Sequence, residues 1–136
     1  MAAPDPNGRT RPLSPHLDVY KWQVQMLTSI LHRATGIALV AGMLGLVWGL
    51  VALAGGEKSW AAFAACAGSL FGKLVLFGFS WALAYHLING VRHLFQDAGH
   101  GYAIPDFVRS SWLSIIGSVV LVVLVWAIVL LRGGAA

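Results

Sequence analysis

Three long apolar stretches separated by short polar ones set the plan of this chain. The first runs from about Ser29 to Ala54, the second from about Ala64 to Phe95, and the third from about Ser111 to Leu131. Crossing a bilayer as a helix takes about 20 apolar residues, so each is long enough. The second exceeds that length and is expected to tilt or protrude. Between the first two, Gly55-Gly56-Glu57-Lys58-Ser59 reads as a turn. Asp97-Ala98-Gly99-His100-Gly101 ends the second stretch, with Gly99 and Gly101 as helix stoppers, and Ile104-Pro105-Asp106 reads as the next loop. The third stretch is the most uniformly apolar, which makes it the least suited to chemistry. Ahead of them all, Arg11-Pro12-Leu13-Ser14-Pro15-His16 should be extended, because proline disfavours helix in the residue before it. Leu17 to Leu27 reads as a short amphipathic helix, with Tyr20 and Trp22 at the headgroup level. The expected architecture is an all-α membrane protein. An N-terminal segment with an interfacial helix (1–28) precedes a three-helix transmembrane anchor (29–132).

Composition agrees with that pattern. Of the 136 residues, 58% are hydrophobic and only 10% are charged, against about 25% charged in soluble domains. The mean hydropathy is +0.76. The net charge of +4 is therefore weak evidence for nucleic acid as a partner, since the basic residues sit mostly at segment ends. Cys66 is the only cysteine, which excludes an intrachain disulfide and a cysteine-built zinc or iron–sulfur site. Residues 1–15 are polar and Pro-rich, without the apolar core of a secretory signal. Arg9, Arg11, Lys21, Arg33, Arg92 and Arg109 fall on the N-terminal side of the expected spans, and Lys58, Lys73 and Arg132 on the other. That bias places the N-terminus in the cytoplasm and the C-terminus outside.

Two polar clusters interrupt the apolar pattern. Ser29-Ile30-Leu31-His32-Arg33 opens the first span, and His86-Leu87-Ile88-Asn89-Gly90-Val91-Arg92-His93 lies near the end of the second. If these spans are antiparallel neighbours, both clusters meet at one side of the membrane. Ionisable groups there are expensive and mark functional sites by default. Ser29, His32 and Arg33 are spaced i, i+3, i+4 and share a helix face. Arg33 supplies a permanently charged donor fork suited to carboxylates, phosphates or a carbonyl oxygen gaining charge. The plainer reading is that His32 and Arg33 snorkel to the interface and help set topology.

His86 is the sharper signal. It lies about two to three turns inside the second span, too deep for a short imidazole to snorkel. Neutral imidazole is a good ligand for haem iron. His93 follows at i+7, about 10 Å nearer the surface, a spacing that suits one histidine on iron and one at a propionate, with Arg92 and Arg33 helping to neutralise charge. Gly90 would admit a macrocycle or a neighbouring helix. The competing reading of His86 is a histidine hydrogen-bonded between helices. Because no second histidine lies equally deep, a six-coordinate iron would take its other ligand from another chain. The Gly45/Gly49 and Gly68/Gly72 pairs read as close helix packing. The tryptophans read as packing and interface anchors, and Tyr85 as packing.

At these residues the chain resembles the cytochrome b membrane-anchor subunit of succinate dehydrogenase (respiratory complex II), the larger of its two anchors. The resemblance rests on Arg11-Pro12-Leu13-Ser14-Pro15-His16-Leu17, on Ser29-x-x-His32-Arg33-x-Thr35-Gly36, and on His86-x-x-Asn89-Gly90-Val91-Arg92-His93-Leu94 followed by Asp97-x-Gly99. One departure is Gln96, where the family usually has an aromatic residue or Met. The resemblance implies that His86 is an axial ligand of a b-type haem, completed by a histidine of the second anchor subunit. It implies that Ser29 and Arg33 line a ubiquinone pocket, and that His32, Arg33 and His93 lie near the haem propionates. Flavoprotein and iron–sulfur subunits would be further partners, and the bacterial inner membrane the location. Three other readings compete: a fumarate reductase anchor, a purely structural anchor without redox groups, and a small transporter.

Overall fold

The computed structural model describes residues 6–8 and 19–133. They form α1 (Val24–Ala54), α2 (Glu57–Gly68), α3 (Leu70–Asp97) and α4 (Ile104–Gly133). Three of these, α1, α3 and α4, are long and apolar enough to cross a membrane.

The elements depart from the sequence expectation in several places. No separate interfacial helix forms over the described part of Leu17 to Leu27. Residues 20–23 are non-helical, and Val24 to Leu27 are the opening turn of α1. No Gly or Pro stands between Gln23 and Ser29, so a helix already nucleated by the span propagates back through them at little cost. Residues 17 and 18, and the segment Arg11–His16 for which an extended backbone is expected, lie outside the described residues.

Second, the stretch from Ala64 to Phe95 is not one helix. It breaks at Ser69, whose extended backbone (φ −62°, ψ 160°) separates α2 from α3. The Ser69 hydroxyl donates to the Cys66 carbonyl at 2.6 Å and accepts the Gly72 N–H at 3.0 Å, satisfying one of the orphan donors at the start of α3. Gly72 has no Cβ because one would overlap the backbone of Cys66 and Ala67. The turn expected over Gly55–Ser59 is shorter than read. Gly55 and Gly56 make the corner, Gly56 at φ +93°, and α2 starts at Glu57. Third, Ile104-Pro105-Asp106 opens α4 instead of lying in a loop. Proline is tolerated in a first turn, where its missing N–H had no partner to lose. Gly99 and Gly101 do stop α3, at φ +84° and +77°.

Contacts between the helices run antiparallel. Thr28 and Gly42 of α1 meet Tyr85 and Phe79 of α3, and Arg92, Ile88 and Ser80 of α3 meet Ser110, Gly117 and Trp126 of α4. The start of α1, the end of α3 and the start of α4 therefore share one end of the bundle.

What is buried is small or polar. Ala52, Ala82, Ala84, Tyr85 and Val122 are the buried apolar residues, beside Thr28, Thr35, Asn89, Arg92, Gln96, Ser111, Ser114 and Ser118. Large apolar side chains point outward, as they do where lipid is the solvent. The serines of α4 turn their hydroxyl protons back onto carbonyls of their own helix, leaving a narrow ridge of small side chains that α3 approaches closely.

Candidate functional site

Three imidazoles gather at the shared end of the bundle. His86 and His93 lie two turns apart on one face of α3, and His32 reaches them from α1. The His32 and His86 rings stack with centroids 3.9 Å apart and planes 10° from parallel. The His93 ring sits 5.1 Å from His32, tilted by 56°. All three residues are half-buried.

Helix α1 holds His86 by its backbone. Nδ1 of His86 lies 3.2 Å from the His32 carbonyl and 3.3 Å from Thr35 Oγ1. A carbonyl only accepts, so Nδ1 carries the proton and the lone pair is left on Nε2. Nε2 has no partner among the described residues. Gly36 makes the approach close, since a Cβ there would stand 3.2 Å from His86 Cε1. Tyr85 is fully buried and donates its hydroxyl to the Thr28 carbonyl at 2.9 Å, pinning α3 to α1 one residue from His86.

His93 is set the other way. Asn89 is fully buried, and its Nδ2 donates to His93 Nε2 at 3.2 Å. The proton of His93 therefore sits on Nδ1, which remains a donor. The Asn89 Oδ1 accepts from Arg92 at 3.3 Å.

Arg92 does not face the histidines as expected. It is 8% exposed and turned into the α3–α4 interface. There it donates to Ser110 Oγ at 2.9 Å and Ser111 Oγ at 3.0 Å, and its guanidinium lies 4.4 Å from the centre of the Phe107 ring. Gly90 brings no neighbouring helix into close approach. A Cβ there would meet only His32 Cε1, at 3.9 Å. Of the expected glycine pairs, Gly49 and Gly72 are tight, while Gly45 and Gly68 face open space.

Ser29 is half-buried and Arg33 exposed at the same end. Neither side chain has a hydrogen bond, ion pair or ring contact among the described residues, so the structure does not join them to the three imidazoles. His32 Nδ1 is buried without a hydrogen-bond partner among the described residues. No group of three His, Cys, Asp or Glu side chains among the described residues could hold a metal ion by itself. A metal that takes His86 therefore finds no such set of further ligands among the described residues. Sequence reasoning passed over Thr35 and Asn89 as functional, although both stand in the motifs that carry the resemblance. A cavity of about 510 Å³ lies elsewhere, among α1, α2 and α3 around Gly42, Phe63, Gly72 and Phe79, and its lining is apolar apart from Cys66.

Residues 7–126 match the family described as succinate dehydrogenase/fumarate reductase transmembrane subunit. The chain belongs to this family. Its similarity to a succinate dehydrogenase cytochrome b556 subunit of Paracoccus denitrificans is 48% identity over 120 residues, covering 88% of this chain and 92% of that protein. A cytochrome b556 subunit of Rickettsia conorii is 42% identical over 116 residues, covering 85% and 90%. A mitochondrial cytochrome b560 subunit of Mus musculus is 41% identical over 116 residues, covering 84% of this chain and 66% of that protein. The resemblance read from the motifs is thus met over most of the chain, and the chain is a membrane subunit of succinate dehydrogenase type.

Proposed function

We propose that this chain is the haem-binding anchor of a succinate:quinone oxidoreductase and forms part of its quinone-reduction site. The observation that carries this reading is the Nδ1–H of His86 committed to α1, which leaves the Nε2 lone pair for a metal. One free imidazole nitrogen suits a haem iron, which His86 would hold together with a second anchor subunit. His93, with Nδ1–H as donor, and the neighbouring His32 and Arg33 suit the propionates. When bound, a b-type haem supplies a one-electron centre at this end of the bundle.

Arg33 and Ser29 act on the quinone. Both side chains are uncommitted to other described residues. They orient a ubiquinone carbonyl and stabilise the negative charge that develops on its oxygen, as preorganised donors do. Electrons reach the quinone from succinate through a flavoprotein and an iron–sulfur subunit, and protons enter from the cytoplasmic side. The six-to-three distribution of basic residues supports an N-terminus in the cytoplasm. The bacterial relatives support the inner membrane of a bacterium as the location.

Arg33→Ala in the assembled complex should lower succinate:quinone reductase activity by about 10²-fold or more, the usual effect of removing one charge-stabilising donor. Reduction of a soluble artificial acceptor by succinate should stay unchanged. Equal loss of both activities would contradict the quinone role and point to failed assembly. Replacing His86 by Ala should remove the haem or shift its spectrum.

A further inference from the structure

The contact between Thr35 and the His86 ring has a consequence for the haem ligand, resting on the reading of His86 given above. Thr35 is 3% exposed and lies inside α1. Its hydroxyl has one proton, and the nearest acceptor is the Leu31 carbonyl at 2.7 Å, with the His32 carbonyl at 3.0 Å. With that proton turned to the backbone, a lone pair of Oγ1 faces His86 Nδ1 at 3.3 Å. The Nδ1–H is then shared between two acceptors, Thr35 Oγ1 and the His32 carbonyl at 3.2 Å. Gly36 lets this happen, because the ring lies where a Cβ would crowd it.

We infer that Thr35 is a positioning residue for the iron ligand: it fixes the Nδ1–H tautomer and orientation of His86 and sets the donor strength of Nε2. A histidine whose distal N–H is held by acceptors is more basic at its ligating nitrogen, and such outer partners govern metal affinity and potential. Stronger donation stabilises ferric over ferrous iron. Losing an acceptor should therefore raise the midpoint potential of the couple in which ferric haem takes one electron to become ferrous. The arrangement also explains why α1 carries a hydroxyl here at all, since its backbone bonds to Leu31 and His32 duplicate bonds the helix already makes.

The test compares Thr35→Val with Thr35→Ser in the purified complex, with redox titration of the haem band and haem retention as readouts. Valine keeps the volume and removes the acceptor, and serine restores it. Thr35→Val should shift the midpoint potential upward and release haem about 10-fold more readily, while Thr35→Ser should titrate like the wild type. Gly36→Ala approaches the same ring from the other side. Its Cβ pushes His86 off its acceptors by a few tenths of an ångström, and the potential should move in the same direction. A haem-bound Thr35→Val complex with the wild-type potential would overturn the inference. So would loss of haem in the valine and serine variants alike, which would mark Thr35 as packing alone. Loss in the valine variant only would support it. A His86→Ala complex that keeps its b-type spectrum would instead remove the reading of His86 itself, whatever the Thr35 variants do.

Discussion

Arg92 shows how much a single side chain can be misplaced by reading charge alone. Near two histidines in sequence, it looked like a counter-charge for a cofactor. In the fold it is a buried cation whose guanidinium fork spans Asn89, Ser110 and Ser111 and rests against Phe107. Only a planar group with five donors can bridge those partners at once. Arg92→Ala leaves a void and strips Asn89 Oδ1 of its donor, so it should cost about 2–4 kcal/mol of stability. Arg92→Lys should fall between, because a point charge cannot serve all three oxygens. The thermal midpoint of the solubilised complex measures both, and midpoints equal to wild type would mean the network contributes nothing. Asn89 couples this network to His93 through the bond from Nδ2. The arginine thus acts on the candidate site through the asparagine, at the distance of one side chain.

At the scale of elements, the corner between α2 and α3 is the least tolerant point of the described chain. Gly72→Ala places a methyl group against the backbone of Cys66 and Ala67, where no rotamer can relieve it. The variant should fail to hold α2 against α3 and lose assembled complex, read as the yield of anchor in purified membranes. A normal yield would show that the corner reopens at no cost. Ser69→Ala is milder, losing the cap on α3 at about 1 kcal/mol. The three spans were legible because apolar length is a coarse signal that survives without any partner. The Ser69 break was not, because it interrupts no apolar run. Ser69 stops the helix by backbone angle and by one hydroxyl bonded on both sides, which hydropathy does not register. Likewise, α4 reads as featureless from Val119 onward, yet its earlier serines face α3 and hold Arg92. His32, His86 and His93 were legible as a cluster, since antiparallel neighbours bring the start of one span beside the end of the next. The tautomer of His86 was not, because it depends on a backbone carbonyl that every residue possesses.

At the scale of the molecule, polarity is inverted relative to a soluble domain. Buried positions near the histidine end are largely polar, with Thr28, Thr35, Asn89, Arg92 and Ser111 hydrogen-bonded, while the outer faces of α1, α3 and α4 are apolar. A bundle of this kind draws little stability from burying large side chains. It depends on close backbone approach at small residues and on bonded polar groups between helices. Its exposed apolar faces suit lipid. The proposed function joins the family relationship to the geometry of His86, whose Nε2 is left without a partner among the described residues. The most direct test is a reduced-minus-oxidised optical spectrum of the purified complex, wild type beside His86→Ala, with assembly checked by subunit content. The account predicts a b-type haem spectrum that is lost or shifted in the variant while the subunits remain together. An unchanged spectrum in an assembled His86→Ala complex would contradict it, leaving His86 as a packing residue between α1 and α3.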